Sequence, residues 1–220
     1  MRLGARKFDM PLASFTGPTS VAGWIEATGG TVVGIGIHAQ GWARLFGGDL
    51  SVYANRVVPL ANLDGSAQRL LEALDGGEHP PIAFERWLDR RLATDRAPDP
   101  LLERLEAMIA DVAVMRIETL AEELQLTSRQ LSVLTRQNFG FTPKLLLRRR
   151  RFLRALSATL DASPEESGAL LAAAGYWDRS HFLRDAHLFL GCSIREFRQR
   201  RGPLNALVMR TRADVLGAAV

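Results

Sequence analysis

Apolar residues recur along this chain in two rhythms, and the change from one to the other divides it. Val21 to Ala27 and Thr31 to Ile37 are rich in β-branched residues and flank Gly29-Gly30, which predicts a strand, a tight turn and a strand. After Gly41 the period lengthens. Ala67 to Leu74 and Ile82 to Leu92 repeat their apolar residues every three or four positions, as a helix with one buried face does, and Phe84, Trp87, Leu88 and Leu92 share a face of the second. Between them Gly76-Gly77-Glu78-His79-Pro80-Pro81 forces a turn, because proline lacks an amide donor and restricts the residue before it. Two antiparallel helices are the simplest result. Ala93 to Pro100, polar and proline-bearing, reads as an interdomain linker.

From Asp99 to about Arg201 every segment reads as helix. Asp99 caps a helix with Pro100 in its first turn, and Leu102, Leu105, Met108, Ile109 and Val112 form a stripe that carries it to about Met115. Leu120, Ala121 and Leu124 mark a short helix; Thr127 caps the next, with Leu131, Leu134 and Phe139 inward. Short helix, tight connection, helix is the helix-turn-helix pattern. Gly140-Phe141-Thr142-Pro143 stops the chain and restarts it as a long helix to about Leu160. The pattern then repeats. Ser163-Pro164-Glu165-Glu166 is a capping box for a helix with Leu170, Leu171 and Ala174 inward, ended by Gly175. Asp178 caps a helix with Phe182, Leu188 and Phe189 as core residues, and Gly191-Cys192-Ser193 repeats the earlier break. Thr127 and Asp178, Leu131 and Phe182, and Gly140 and Gly191 stand at one common offset, so the chain holds an internal repeat. The expected fold class is α+β: a small N-terminal β-hairpin or partial sheet with helices, then an all-α C-terminal domain of two helix-turn-helix units joined by a long helix.

Charge sharpens this picture. The 220 residues carry a net charge of only +4, yet Leu124 to Leu160 contains no acid and eight bases: Arg129, Arg136, Lys144, Arg148, Arg149, Arg150, Arg151 and Arg154. Only Lys7 and Lys144 are lysines, and arginine can grip phosphate or guanine through two parallel hydrogen bonds. The block predicts an electrostatic clamp on DNA beside the first unit. With 47% hydrophobic residues there is ample material for cores, and no apolar run approaches the ~20 residues of a membrane helix, so a cytoplasmic protein is expected. The single Cys192 and four scattered histidines offer no zinc spacing and no internal disulfide. No glycine-rich phosphate loop, paired catalytic histidine and acid, or nucleophile elbow is present, so neither an enzyme nor a cofactor is expected.

Arg116 to Arg201 resembles the DNA-binding domain of the bacterial AraC/XylS-type transcriptional regulators. The resemblance is carried by LAEELQLT at Leu120 to Thr127, by GFTP at Gly140 to Pro143 with Arg151 and Ala155 after it, and by GYWDRSHFLR at Gly175 to Arg184. Upstream, TVVGIGIHAQGWARLFG followed by NRVVPL resembles the sensory region of a subset of these regulators. The resemblance implies a sequence-specific regulator with one reading helix in each unit. Arg129, Ser132 and Val133 on the first, and Arg179, Ser180, Leu183 and Arg184 on the second, match the family's groove-facing positions. Arg136, Lys144, Arg148 and Arg149 would neutralise phosphates, which fixes register without reading sequence. A connecting helix of ~27 Å would let one chain reach two major-groove segments a turn apart on an asymmetric site.

The chain departs from the family at several positions. Val133 stands in place of a frequent arginine, Thr135 and Ala186 in place of core phenylalanines, Leu171 in place of alanine, and Ile194 in place of a proline. A second reading therefore stays open, a DNA-binding-impaired interaction module acting through partner proteins or as a heterodimer subunit. The expected divisions are 1–95, an effector-binding or dimerisation region; 99–205, the DNA-binding domain; and 206–220, a tail. For the first, dimerisation is favoured, with Trp24, Trp42, Phe46, Phe84 and Trp87 as candidate buried aromatics. Double-stranded DNA is the expected partner, RNA polymerase and a homodimer mate are further ones, a small-molecule effector is left open, and no membrane is expected.

Overall fold

The computed structural model describes residues 1–26, 29, 32–92, 97–111, 116–160 and 162–200. Short strands open the chain: β1 (Arg2–Leu3), β2 (Arg6–Lys7), β3 (Ser14–Thr16), β4 (Gly23–Trp24) and, further on, β5 (Val57–Pro59). β1 is the centre of an antiparallel sheet, with Arg2 opposite Lys7 on one side and Trp24 on the other. β3 and β5 make a separate antiparallel pair in which Phe15 faces Val58.

The expected hairpin between Val21–Ala27 and Thr31–Ile37 does not form. Gly23 and Trp24 pair with β1 instead, Val32 to Ile37 run without a strand partner, and Gly30 of the expected turn, with Ala27 and Thr31 of the expected strands, lies outside the described residues. The reason is packing. A side chain at Gly23 would meet Met1 Cε at 2.7 Å and Leu3 Cδ2 at 3.0 Å, so the glycine lets β1 come close. Gly34 and Gly36 leave the other segment with few side chains to pair, and Val32 stays 83% exposed.

The helices are α1 (Ala39–Leu45), which was not expected from the sequence, and then, in the predicted order, α2 (Ala67–Asp75), α3 (Pro80–Leu92), α4 (Pro100–Ala110), α5 (Ile117–Glu123), α6 (Ser128–Phe139), α7 (Pro143–Thr159), α8 (Pro164–Ala173), α9 (Arg179–Leu190) and α10 (Ile194–Arg200). α2 and α3 bury Leu70, Ala83 and Trp87 against Leu60. The Trp87 indole N–H donates to Asp64 and Ser66, and Arg91 pairs with Asp64 at 2.7 Å. Trp42 and Trp87 are buried, whereas Trp24, Phe46 and Phe84 are half-buried within the same chain. Phe46 stacks on Trp42 at 5.2 Å.

Beyond Asp99 two corrections apply. α4 ends at Ala110 rather than near Met115, because Asp111 is extended; Val112 to Met115 lie outside the described residues. Leu188, expected inward, is 44% exposed, and Leu190 is buried instead. From Phe182 the inward face of α9 runs through Asp185, Ala186, Phe189 and Leu190, and Leu188 falls off it.

Arginines close several helix ends. The last carbonyls of a helix have no partner within it and carry its negative pole, so a guanidinium satisfies both. Arg91 donates to Leu45 O at the end of α1, Arg150 to Met108 O and Ile109 O at the end of α4, and Arg104 to Glu123 O at the end of α5. Arg198 does the same at Thr159 O of α7, and Arg154 at Ala174 O behind α8.

The N-terminal part packs directly on the helical part. Ala39 shares a core with Leu102, Leu105, Leu131 and Phe141, and the Gln40 side chain donates to Asp99 O at 2.6 Å. Residues 17 to 22 form a strap. It is stitched to Asn55 and Arg56 by Gly17 N–H to Arg56 O and Asn55 N–H to Pro18 O, touches the break glycine Gly140 through Pro18, and ends with Ala22 N–H donating to Phe189 O at 2.6 Å. One segment thus spans both helix-turn-helix units.

Candidate nucleic-acid interface

Local chemistry fixes where the second helix of each unit starts. In α6 the Thr127 hydroxyl accepts from Gln130 N–H while the Gln130 side chain accepts from Thr127 N–H, a complete capping box. In α9 the Asp178 carboxylate accepts from His181 N–H at 2.6 Å. Both helices end on a left-handed glycine, Gly140 at φ +80° and Gly191 at φ +68°.

Each helix then divides into two faces. On α6, Leu131 and Thr135 are fully buried, and the Thr135 hydroxyl donates to Ser132 O. Arg129, Ser132, Val133 and Arg136 share the opposite face by helical spacing; Ser132 is half-buried, Val133 is 47% exposed and both arginines are exposed. On α9, Arg179, Ser180 and Arg184 are exposed, while Leu183 is half-buried and packs against the core of the second unit. Lys144, one residue into α7, is exposed; Arg148 and Arg149 are half-buried. The 17 residues of α7 span ~25 Å between the units.

The acid-free block is less free than its composition suggests. Asp185 of α9 is fully buried and draws two of its arginines inward. Arg148 donates from Nε at 2.8 Å and pairs through a second nitrogen at 2.7 Å, both to Asp185 Oδ1. Arg151 reaches Oδ2 at 3.4 Å, donates to His181 Nε2 at 3.1 Å and lies 4.7 Å over the Tyr176 ring. The Tyr176 hydroxyl donates to Oδ2 at 2.7 Å. Burial alone would raise the Asp185 carboxyl, but the hydrogen bonds from Arg148 and Tyr176 and the two guanidinium charges hold it below its ordinary value. Burial, with the carboxylate beside it, pushes the Tyr176 phenol well up. With Arg150 and Arg154 on helix ends, four of the block's cations tie α7 to its neighbours. This corrects the expectation that most of the block is an outward clamp.

Asp185 and Tyr176 were not among the residues singled out from sequence. The signal was there: Phe182, Asp185, Ala186 and Phe189 fall on one helical face, and an acid on a core face requires a cation. Cys192 is buried, and burial raises its thiol, as suits a small core residue rather than a nucleophile.

Two helix-turn-helix units, each with a capped second helix that keeps a polar face outward, have the arrangement of a DNA-binding domain. Residues 120–200 match the family model described as a helix-turn-helix domain, in its AraC-type form. This part of the chain is thus similar to the DNA-binding regulatory domain of AraC-type regulators. Searches of curated proteins and of solved structures give no significant match. Among the described residues no helix is long and apolar enough to cross a membrane.

Proposed function

We propose that the protein is a sequence-specific transcriptional regulator that places α6 and α9 in adjacent major-groove segments of one DNA site. The observation that supports this most is exposure: the N-terminal part packs on α6, yet Arg129, Val133 and Arg136 stay outward, as do Arg179, Ser180 and Arg184 on α9. Arg129, Arg179 and Arg184 are assigned to base edges, best to guanine N7 and O6. Arg136, Lys144 and Arg149 are assigned to phosphates, and Arg148 with them when it is not held by Asp185. Residues 1–95 are assigned to regulation through dimerisation or an effector, 99–205 to DNA, and RNA polymerase is the natural further partner in a bacterial cytoplasm.

Selection of bound sequences from a random duplex pool tests this reading. The expected outcome is an asymmetric consensus of two boxes about one helical turn apart. Arg184→Ala should relax preference within one box. Lys144→Ala should weaken all sequences alike and make the slope of log affinity against log salt shallower by about 0.9. The interaction-module reading, which the exposed Val133 at a reading position supports, predicts instead a flat salt dependence and no consensus.

A further inference from the structure

The two units differ in their turns. In the first, Gln125 N–H donates to Glu122 O and Leu126 N–H to Ala121 O; in the second, Gly175 N–H donates to Ala172 O and Tyr176 N–H to Leu171 O. Gln125 and Gly175 both have positive φ, +55° and +84°. Leu126 and Tyr176 then both turn into their cores. Here the correspondence breaks. In the first unit the next residue is the cap, Thr127, whereas in the second Trp177 intervenes before the cap Asp178.

That extra residue is 95% exposed. Among the described residues no hydrogen bond or ring contact holds its indole, whereas Trp42 and Trp87 are buried and Trp24 is half-buried. Its place is the entrance of the reading helix, directly before the cap and beside the exposed Arg179. In a helix-turn-helix the N-terminal end of the reading helix meets the groove, and the helix pole there is positive. A large exposed apolar ring beside a guanidinium and a positive helix pole, with the Asp178 carboxylate engaged in capping, favours a polyanion with apolar surface of its own, which duplex DNA supplies in its sugars and base edges.

Resting on the regulator reading above, we propose that Trp177 is a DNA-contacting residue of the second unit, its ring against the sugar–phosphate edge of the groove and its N–H donating to a phosphate oxygen. A neutral side chain releases no counterion. The contact therefore adds affinity without adding to the salt slope, unlike an arginine.

The full-length chain with W177A and W177F decides this, titrated with mixed-sequence duplex DNA at several salt concentrations while tryptophan emission is followed. The parent should show an emission change on binding that W177F lacks. W177A should bind about five-fold or more weakly at every salt concentration, with a slope parallel to the parent's. W177F, keeping a ring but no N–H, should fall between them. Because the side chain lies in water, the unfolding midpoint of W177A should equal the parent's, which separates lost contact from lost fold. Parent binding with an indifferent W177A overturns this inference alone and leaves the indole for a protein surface. A parent that binds no duplex overturns the regulator reading and this one with it.

Discussion

Asp185→Asn should release a cation toward DNA while loosening the second unit. The substitution keeps the side-chain shape and an acceptor for the Tyr176 hydroxyl but removes the charge that holds Arg148 and Arg151. Hydrogen bonds to a charged group contribute about 1.5–3 kcal/mol, against about 1 kcal/mol for neutral ones, and Asp185 receives short bonds from both Arg148 and Tyr176. The gain is discounted because Arg148 keeps 38% and Arg151 23% of the side chain accessible, so both can be rehydrated. A loss of about 2 kcal/mol is expected for Asp185→Asn. Asp185→Ala, which also strands the Tyr176 hydroxyl in the interior, should cost about 3–4 kcal/mol. Urea unfolding of the parent, Asp185→Asn, Arg148→Met and the double variant should give a coupling of about 1–2 kcal/mol. DNA binding supplies a second readout. With Asp185 neutral, Arg148 is free for phosphate and the salt slope should steepen by up to about 0.9, an effect that Arg148→Met cancels. Additive variants, with Asp185→Asn costing under about 0.5 kcal/mol, would refute the network as the tie between α7 and α9.

The same carboxylate sets a pH dependence. Its value is depressed below 3.8, so its contribution is fully present above that value and is lost as the pH falls through the native value. The stability gap between parent and Asp185→Asn should therefore be constant from neutral pH to about pH 5 and shrink below 3.8, as acid-titrated circular dichroism would record. Gly140→Asn and Gly191→Asn should diverge although both sites are left-handed. A Cβ at Gly140 would collide with the Pro18 ring and at Gly191 would meet nothing within 4 Å, so thermal unfolding should place Gly140→Asn at least about 1 kcal/mol below Gly191→Asn. Thr127→Ala removes one half of the capping box of α6 and should cost about 1 kcal/mol in urea unfolding. Leu171 and Ala186 lie in one buried cluster, so Leu171→Ala and Ala186→Phe should be non-additive in a stability cycle; simple additivity would show that the two volumes do not compensate.

The helical half was legible because its signals are local. Asp99, Thr127, Thr142, Ser163 and Asp178 each cap the helix their position predicts, and Gly140 and Gly191 end theirs in the left-handed conformation. The strands were not legible, because short strands owe their existence to partners distant in sequence. Gly23 and Trp24 resemble any β-prone pair until β1, twenty residues upstream, is brought against them by the close approach that Gly23 permits. The strap of residues 17 to 22 is likewise invisible in pattern, since what places it is Asn55 on one side and Phe189 O on the other. At the candidate interface the arginines singled out on α6 and α9 are exposed, whereas sequence reading passed over Asp185, an acid on a core face, and Trp177, an apolar ring on a wet one.

The arginines show why one-signed sequence blocks mislead. A run without acids reads as a surface awaiting a polyanion only if its counter-charges are absent from space as well as from sequence. For four of the eight cations of this block they are absent only from sequence. Asp185 lies in the second unit and pairs with two guanidinium groups of α7, while the negative poles of α4 and α8 take Arg150 and Arg154. A helix end supplies about half an elementary charge with no acidic side chain, so no count of Asp and Glu detects it. The connecting helix is thus tied to α4 on one side and to α8 and α9 of the second unit on the other by the very cations that seemed destined for DNA. If α6 and α9 read a two-box site as proposed, fixing their spacing in this way matters more than adding phosphate contacts would, because misplacing one of them by a fraction of a turn loses every base contact in its box.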